Sequence, residues 1–157
     1  MRRLKKKYKK PKSPWDSARI EEERKIMVEY GLKKKTEIWK AAGILREFRR
    51  RARSLISVKD KQKVDVLMAK LRKLGLMTEE KQLEDVLTLK TTDILERRLQ
   101  TMVYKKKLAA TPKQARQFIV HGQIAIDKRR VKIPSYLVTS DDENKIGFYK
   151  EIKPKGE

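Results

Sequence analysis

The sequence predicts an α+β protein: an N-terminal helical domain, followed by two or three helices packed on a small, mostly antiparallel sheet. Three observations carry this. Apolar residues recur at helical spacing from Ile38 to Ile56, and again from Val64 to Leu74. Thr111-Pro112 is a helix restart, a capping hydroxyl followed by proline at the first helical position, and Gly122 is a stop. Ile124 and Ile126, then Val131 and Ile133, alternate on either side of Asp127-Lys128, as the arms of a hairpin do.

Residues 1–12 carry eight basic residues and no acid, the composition of an arm that orders on nucleic acid. Pro11 and Pro14 then break any helix, and Trp15 is the first aromatic anchor. Asp16 or Ser17 caps a first helix that runs to Tyr30 and ends at Gly31. Glu21, Glu22 and Glu23 are expected in its first turns, where the helix dipole favours acids. Thr36 opens a second helix with Ile38, Trp39, Ala42, Leu45, Phe48, Ala52, Leu55 and Ile56 inward. A third helix over 61–74 buries Val64, Leu67, Met68, Leu71 and Leu74, and Gly75 stops it.

Residues 76–91 connect, with one helical turn near 83–87. Asp93 or a neighbouring threonine caps the next helix, with Glu96 in the capping-box position and Ile94, Leu95, Leu99, Met102 and Val103 inward. The helix after Pro112 places Ala115, Phe118 and Ile119 on one face and Lys113, Arg116, Gln117 and His121 on the opposite arc. Pro134 ends the returning strand. Two short apolar runs, 136–138 and 146–149, flank an acidic turn of Asp141, Asp142, Glu143 and Asn144, expected far from any anion-binding face. The divisions expected are a basic arm at 1–15, a helical domain at 16–90, a second domain at 91–150 and a tail at 151–157.

Charge narrows the function. The 157 residues carry a net +22. Like charges repel in a compact state, so a polyanionic partner is implied. Each neutralised phosphate releases counterions, which makes nucleic acid the natural partner. A membrane would need an apolar anchor, and neither the start MRRLKKKYKK nor any eighteen-residue span supplies one. Cysteine is absent, which excludes disulfides, thiol nucleophiles, zinc knuckles and iron–sulfur clusters. There is no phosphate loop, nucleophile elbow or metal cluster, so neither an enzyme nor a cofactor is expected. The single His121 stands at a helix end, where backbone or packing contact is its ordinary role.

The candidate RNA contacts follow the cations. Arg2, Arg3, Lys5, Lys6 and Lys7 belong to the arm. Five arginines fall in eight positions on the second helix: Arg46, Arg49, Arg50, Arg51 and Arg53. Guanidinium groups fork onto phosphates and stack on bases, so that edge is expected to face RNA. From Arg97 to Lys132 there are eleven Lys/Arg and one acid. Lys113, Arg116, Gln117 and His121 form the polar arc of the Pro112 helix. Lys128 and Arg129, with Arg130 and Lys132, ride near the hairpin tip.

LERRLQTMVYK (95–105), A-x-T (109–111), QARQFIVHGQI (114–124) and IPSYLV (133–138) together resemble the αL-type RNA-binding domain. More narrowly they resemble the small-subunit ribosomal protein S-four family. PWDSARIEEER, YGLKKKTEIWK and LREFRRRARSL extend the likeness to its archaeal and eukaryotic branch, over roughly 8–150. The resemblance implies a primary binder of small-subunit ribosomal RNA. It would dock at a multi-helix junction of the 5′ domain early in assembly, lie beside neighbouring small-subunit proteins, and affect decoding accuracy. It implies a place in the cytoplasmic ribosome and no homo-oligomer, membrane or small-molecule partner. It also adds Arg97, Arg98, Tyr104, Lys105, Thr111, Gln114 and Gln123 to the RNA contacts.

Asp127-Lys128 stands where the family's hairpin usually turns on Asn-Gly. Lysine tolerates positive φ poorly, so a loop longer than two residues is an open alternative. The αL domain also occurs appended to enzymes, but those need a catalytic domain that this chain's helices do not resemble. The remaining alternative is a ribosome-biogenesis paralogue that binds a snoRNA–pre-rRNA pair.

Overall fold

The structure is a computed structural model and describes residues 8–58, 60–78 and 82–149. The arm cations Arg2, Arg3, Lys5, Lys6 and Lys7 and the tail at 151–157 lie outside the described residues.

Helix α1 (Ser17–Glu29) begins where Asp16 accepts a hydrogen bond from the Arg19 N–H. It ends at Tyr30, followed by Gly31 at φ +59°. The expected acidic first turn is corrected. Starting at Ser17, the helix carries its three glutamates one turn later, and Glu23 is turned inward and buried. Trp15 anchors nothing among the described residues: it is 90% exposed.

Helix α2 (Lys35–Val58) buries Ile38, Ala41, Leu45, Phe48 and Ala52. These spacings of three and four keep one stripe on the core. Ala41 lies at the centre of that stripe, and Trp39 and Ala42 flank it half-buried. Helix α3 (Lys61–Lys73) is capped by the Asp60 carboxylate and buries Leu67, Met68 and Leu71. Gly75 follows at φ +65°. A 3-10 turn (Leu83–Leu87) puts Val86 against α2.

The helix expected from Asp93 onward is two helices. Helix α4 (Thr91–Glu96) starts one residue after Lys90, whose N–H donates to the Asp93 carboxylate at 2.8 Å. Asp93 therefore serves from inside the first turn and is not the cap. Helix α5 (Leu99–Lys105) begins after Arg98, whose backbone is extended at φ −73°, ψ 142°. No glycine or proline makes this break. The chain at 134–138 does: Leu99 N–H donates to the Tyr136 carbonyl and Val138 N–H to the Arg97 carbonyl, each at 2.8 Å. Arg98 and Leu137 pair as one antiparallel bridge.

Helix α6 (Pro112–Val120) is capped by the Thr111 hydroxyl and stops at Gly122, φ +72°. Strands β1 (Ile124–Ile126), β2 (Arg129–Arg130) and β3 (Ile146–Phe148) form an antiparallel sheet in the order β2-β1-β3. All of β1 is buried, so Ile124 and Ile126 do not alternate with an exposed neighbour. Ile126 pairs with Arg129, which leaves a two-residue turn. Asp127 and Lys128 have φ of +49° and +63°, the two positive values that a type I′ turn requires. The longer loop is therefore excluded. The returning strand is short, and Ile133 is exposed. The acidic turn is a single helical turn, α7 (Ser140–Glu143), capped by Thr139.

Two apolar cores result. The first joins α1–α3, the 3-10 turn and α4, from Tyr30 to Leu95. The second joins α5, α6 and the sheet, from Leu99 to Ile146. The α4–α5 break is where they meet.

Candidate nucleic-acid interface

Helix α6 presents the surface that its sequence pattern suggests. Ala115 and Ile119 are fully buried, and Phe118 packs half-buried against the same core. Its ring meets Phe148 edge-on, with centroids 6.0 Å apart. Thr111, Lys113, Gln117, His121 and Gln123 are exposed. The Thr111 hydroxyl accepts from the Gln114 N–H at 3.2 Å, and Gln114 returns a carboxamide oxygen to the Ala110 N–H at 2.8 Å. This reciprocal capping fixes the start of the helix and keeps the Lys113 stem outside.

Arg116 departs from the expected arc. Its Nη1 lies 3.1 Å from Glu37 Oε2 and 3.4 Å from the Gln100 carboxamide oxygen. The same Glu37 oxygen accepts from Arg98, whose side chain is only 5% exposed. One carboxylate of α2 thus joins the break before α5 to the middle of α6. Burial alone would raise the Glu37 carboxyl, but the two guanidinium hydrogen bonds outweigh it and hold it below its ordinary value. Beside this triad, Gln100 is buried with Nε2 within 3.1 Å of the carbonyls of Tyr30, Gly31 and Pro112.

Other arginines on the candidate roster also turn inward. Arg97 donates to Glu143 at 2.8 Å and to the Val138 carbonyl at 3.2 Å. The acidic turn is thereby tied through Glu143 to Arg97. Arg49 sends Nη2 to the Leu89 carbonyl and is half-buried. Arg49 was a candidate on charge, Arg97 and Arg98 on the resemblance, and all three spend guanidinium donors on the protein itself. Charge in a sequence cannot distinguish a cation that closes a seam from one that faces solvent.

The remaining candidate cations among the described residues are outward. Arg46, Arg50 and Arg53 are exposed along α2, and Arg50 and Arg51 share Glu47 at 3.0 Å each. Their hydrogen bonds hold the Glu47 carboxyl below its ordinary value. Tyr104 is exposed, and Lys105 pairs with Glu96 at 3.1 Å on the surface. At the hairpin tip Lys128 and Arg129 are exposed, and the Arg130 guanidinium lies 4.3 Å over the Tyr149 ring.

A groove of about 410 Å³ follows the seam between the two cores. Lys33, Lys34 and Lys40 line it from the α1–α2 turn and α2, opposite Arg116, Pro134 and Ser135. These three lysines were not among the candidates. For Lys33 and Lys34 the signal was the basic run that follows the Gly31 stop, which puts cations in the α1–α2 turn; Lys40 lies within α2. Among the described residues, no helix is long and apolar enough to cross a membrane.

Comparison with known proteins agrees with this division of the chain. Residues 2–96 match the family described as "Ribosomal protein S4/S9 N-terminal domain", and residues 97–144 match "S4 domain". The chain is 44% identical over 151 residues to small ribosomal subunit protein uS4 of Methanothermobacter thermautotrophicus, covering 94% of this chain and 88% of that protein. It is 47% identical over 158 residues to uS4 of Picrophilus torridus, covering 95% and 84%. It is 48% identical over 151 residues to uS4 of Ignicoccus hospitalis, covering 94% and 90%.

Proposed function

Because the chain belongs to the ribosomal protein S4 family, we propose that it is a structural constituent of the small ribosomal subunit and binds that subunit's RNA. Its place is then the cytoplasmic ribosome, and its role is structural and not catalytic. The relatives are small-subunit proteins by name, so the biogenesis-paralogue alternative is not favoured.

One observation carries the reading. Helix α6 turns Ala115, Phe118 and Ile119 to the core while Lys113, Gln117 and His121 stay outside, in a chain of net charge +22. A folded unit that displays this much positive charge suits a polyanion. We assign RNA contact to the exposed cations: Arg46, Arg50 and Arg53, Lys113 with Gln117, Lys128 with Arg129, and the groove lysines Lys33, Lys34 and Lys40. Arg2, Arg3, Lys5, Lys6 and Lys7 extend that set on the arm. Arg98 we assign to the seam instead. The helical unit and the αL unit then act as one binder because Glu37 and Gln100 fasten them. The finer reading follows the family: a multi-helix junction of the 5′ domain, early entry into assembly, neighbouring small-subunit proteins alongside, and an influence on decoding accuracy.

Equilibrium binding of the purified chain to small-subunit rRNA at several salt concentrations tests this. On the order of 6–10 phosphate contacts makes affinity fall by roughly 10³-fold or more between 50 and 200 mM salt. A flat salt dependence, or equal affinity for unrelated RNA, refutes it.

A further inference from the structure

Trp15 exposes 90% of its surface, whereas the other tryptophan, Trp39, is half-buried and donates its indole N–H to Glu23 at 2.9 Å. The backbone that presents Trp15 is fixed. Arg19 donates from Nη2 to the Ser13 and Pro14 carbonyls at 2.9 and 3.0 Å. Its Nη1 donates to Glu23 at 2.7 Å. Glu23 is 6% exposed and also meets Lys35 at 3.3 Å. At the other end of the segment, the Tyr8 ring packs on Trp39 with centroids 5.9 Å apart. Residues 8–15 are therefore held at both ends by one network around Glu23 and Trp39. Between those ends Lys9, Lys10 and Lys12 are exposed, and no acid precedes Asp16.

A lone exposed apolar residue needs no explanation. This one is the largest apolar side chain, on a backbone held by a part-buried ion pair and set among lysines. We propose that Trp15 stacks on an unpaired nucleobase of the bound RNA, with Lys9, Lys10 and Lys12 on the flanking phosphates. Every base offers a π face, and cations beside an aromatic platform track the backbone of a single strand. An apolar pocket on a protein partner would take the indole but would leave three lysines without counter-charge. Arg19 and Glu23 act as positioning residues, because Arg19 holds the Ser13 and Pro14 carbonyls just before Trp15 and Glu23 holds Arg19. The proposal rests on the reading of the chain as a small-subunit RNA binder and names a contact within that binding.

The test uses the full chain and small-subunit rRNA. Trp15→Ala should weaken binding by roughly 5- to 150-fold, the range for loss of one base–aromatic stack. Trp15→Tyr should restore most of it. The salt slope should be unchanged in Trp15→Ala, since stacking releases no counterions, and shallower when Lys9, Lys10 and Lys12 are all made Gln. Indole fluorescence should be quenched on binding, and the quench should largely vanish in Trp15→Tyr. Trp15→Ala should melt like the parent, because the side chain buries nothing. Parental affinity in Trp15→Ala overturns the stacking contact while leaving RNA binding in place. Parental RNA affinity combined with lost retention on assembled subunits overturns it in favour of a protein partner. If the parent chain itself does not bind the rRNA, the underlying reading fails, and the contact with it.

Discussion

Glu37 and Arg98 meet across the seam between the two apolar cores, 61 residues apart in sequence and both largely removed from solvent. Arg98 is the more buried, and its Nε has no hydrogen-bond partner among the described residues. The pair therefore depends on Glu37. Glu37→Ala should destabilise the protein by about 3–5 kcal/mol, as expected when a buried charge is left uncompensated. Denaturant unfolding at neutral pH measures this.

The same residue sets an acid sensitivity. Its carboxyl is held below the ordinary value in the folded state. The stability this contributes is fully present above the unfolded value, about 4.3, and is lost as pH falls through the lower folded value. Unfolding curves taken between neutral and acid pH should show Glu37→Gln less stable at neutrality and losing less on acidification than the parent. Parallel losses in the two proteins would refute the linkage.

Gly31 is under two constraints at once. It has φ +59°, and a Cβ placed on it would lie 2.9 Å from Pro112 Cβ and 3.0 Å from the backbone of Lys113. Gly31→Ala should cost about 1–2 kcal/mol for the left-handed backbone, plus roughly 1–3 kcal/mol for the clash. Gly147, where a Cβ meets nothing within 4 Å, is the control. Gly147→Ala should change the melting midpoint far less.

The α2 arginines should separate by experiment. Arg46→Gln with Arg53→Gln should weaken rRNA binding and flatten its salt dependence, with the melting curve nearly unchanged. Arg49→Gln should instead lower stability by about 1–3 kcal/mol, because the Leu89 carbonyl and the buried guanidinium lose their bond. Equal effects of all three on stability would show that the edge is structural throughout.

Helix α6 divides in the same way. Lys113→Gln should reduce RNA affinity alone. Ile119→Ala should cost about 2–5 kcal/mol, as a truncated core side chain does. Arg116→Ala should lower both stability and affinity, since Arg116 is tied to Glu37 and still partly exposed. Calorimetric melting alongside RNA titration distinguishes the three.

Lys128 at φ +63° strains the hairpin. Lys128→Gly removes a left-handed cost of about 1–2 kcal/mol and adds a chain-entropy cost of about 0.5–1 kcal/mol. The net should be a small rise in thermal stability, and a fall would show that the lysine stem packs usefully.

Local rules were enough for much of this molecule. The helix starts at Asp16 and Thr111, the stops at Gly31, Gly75 and Gly122, and the hairpin around residues 127 and 128 are all written in adjacent residues, because caps and turns act over one to four positions. Net charge and the αL motif strings sufficed for the functional class. The tertiary structure decided what no local pattern could hold. It split the helix at Arg97 and Arg98, because a segment forty residues later competes for those backbone groups. It drew Arg49, Arg97, Arg98 and Arg116 wholly or partly inward, because Leu89, Glu143 and Glu37 lie opposite them only after folding. It left Trp15 outside and put Trp39 beside Glu23. A sequence states which side chains can pair with anions. Only the packing of the two cores determines which anion, the protein's or the RNA's, each one meets.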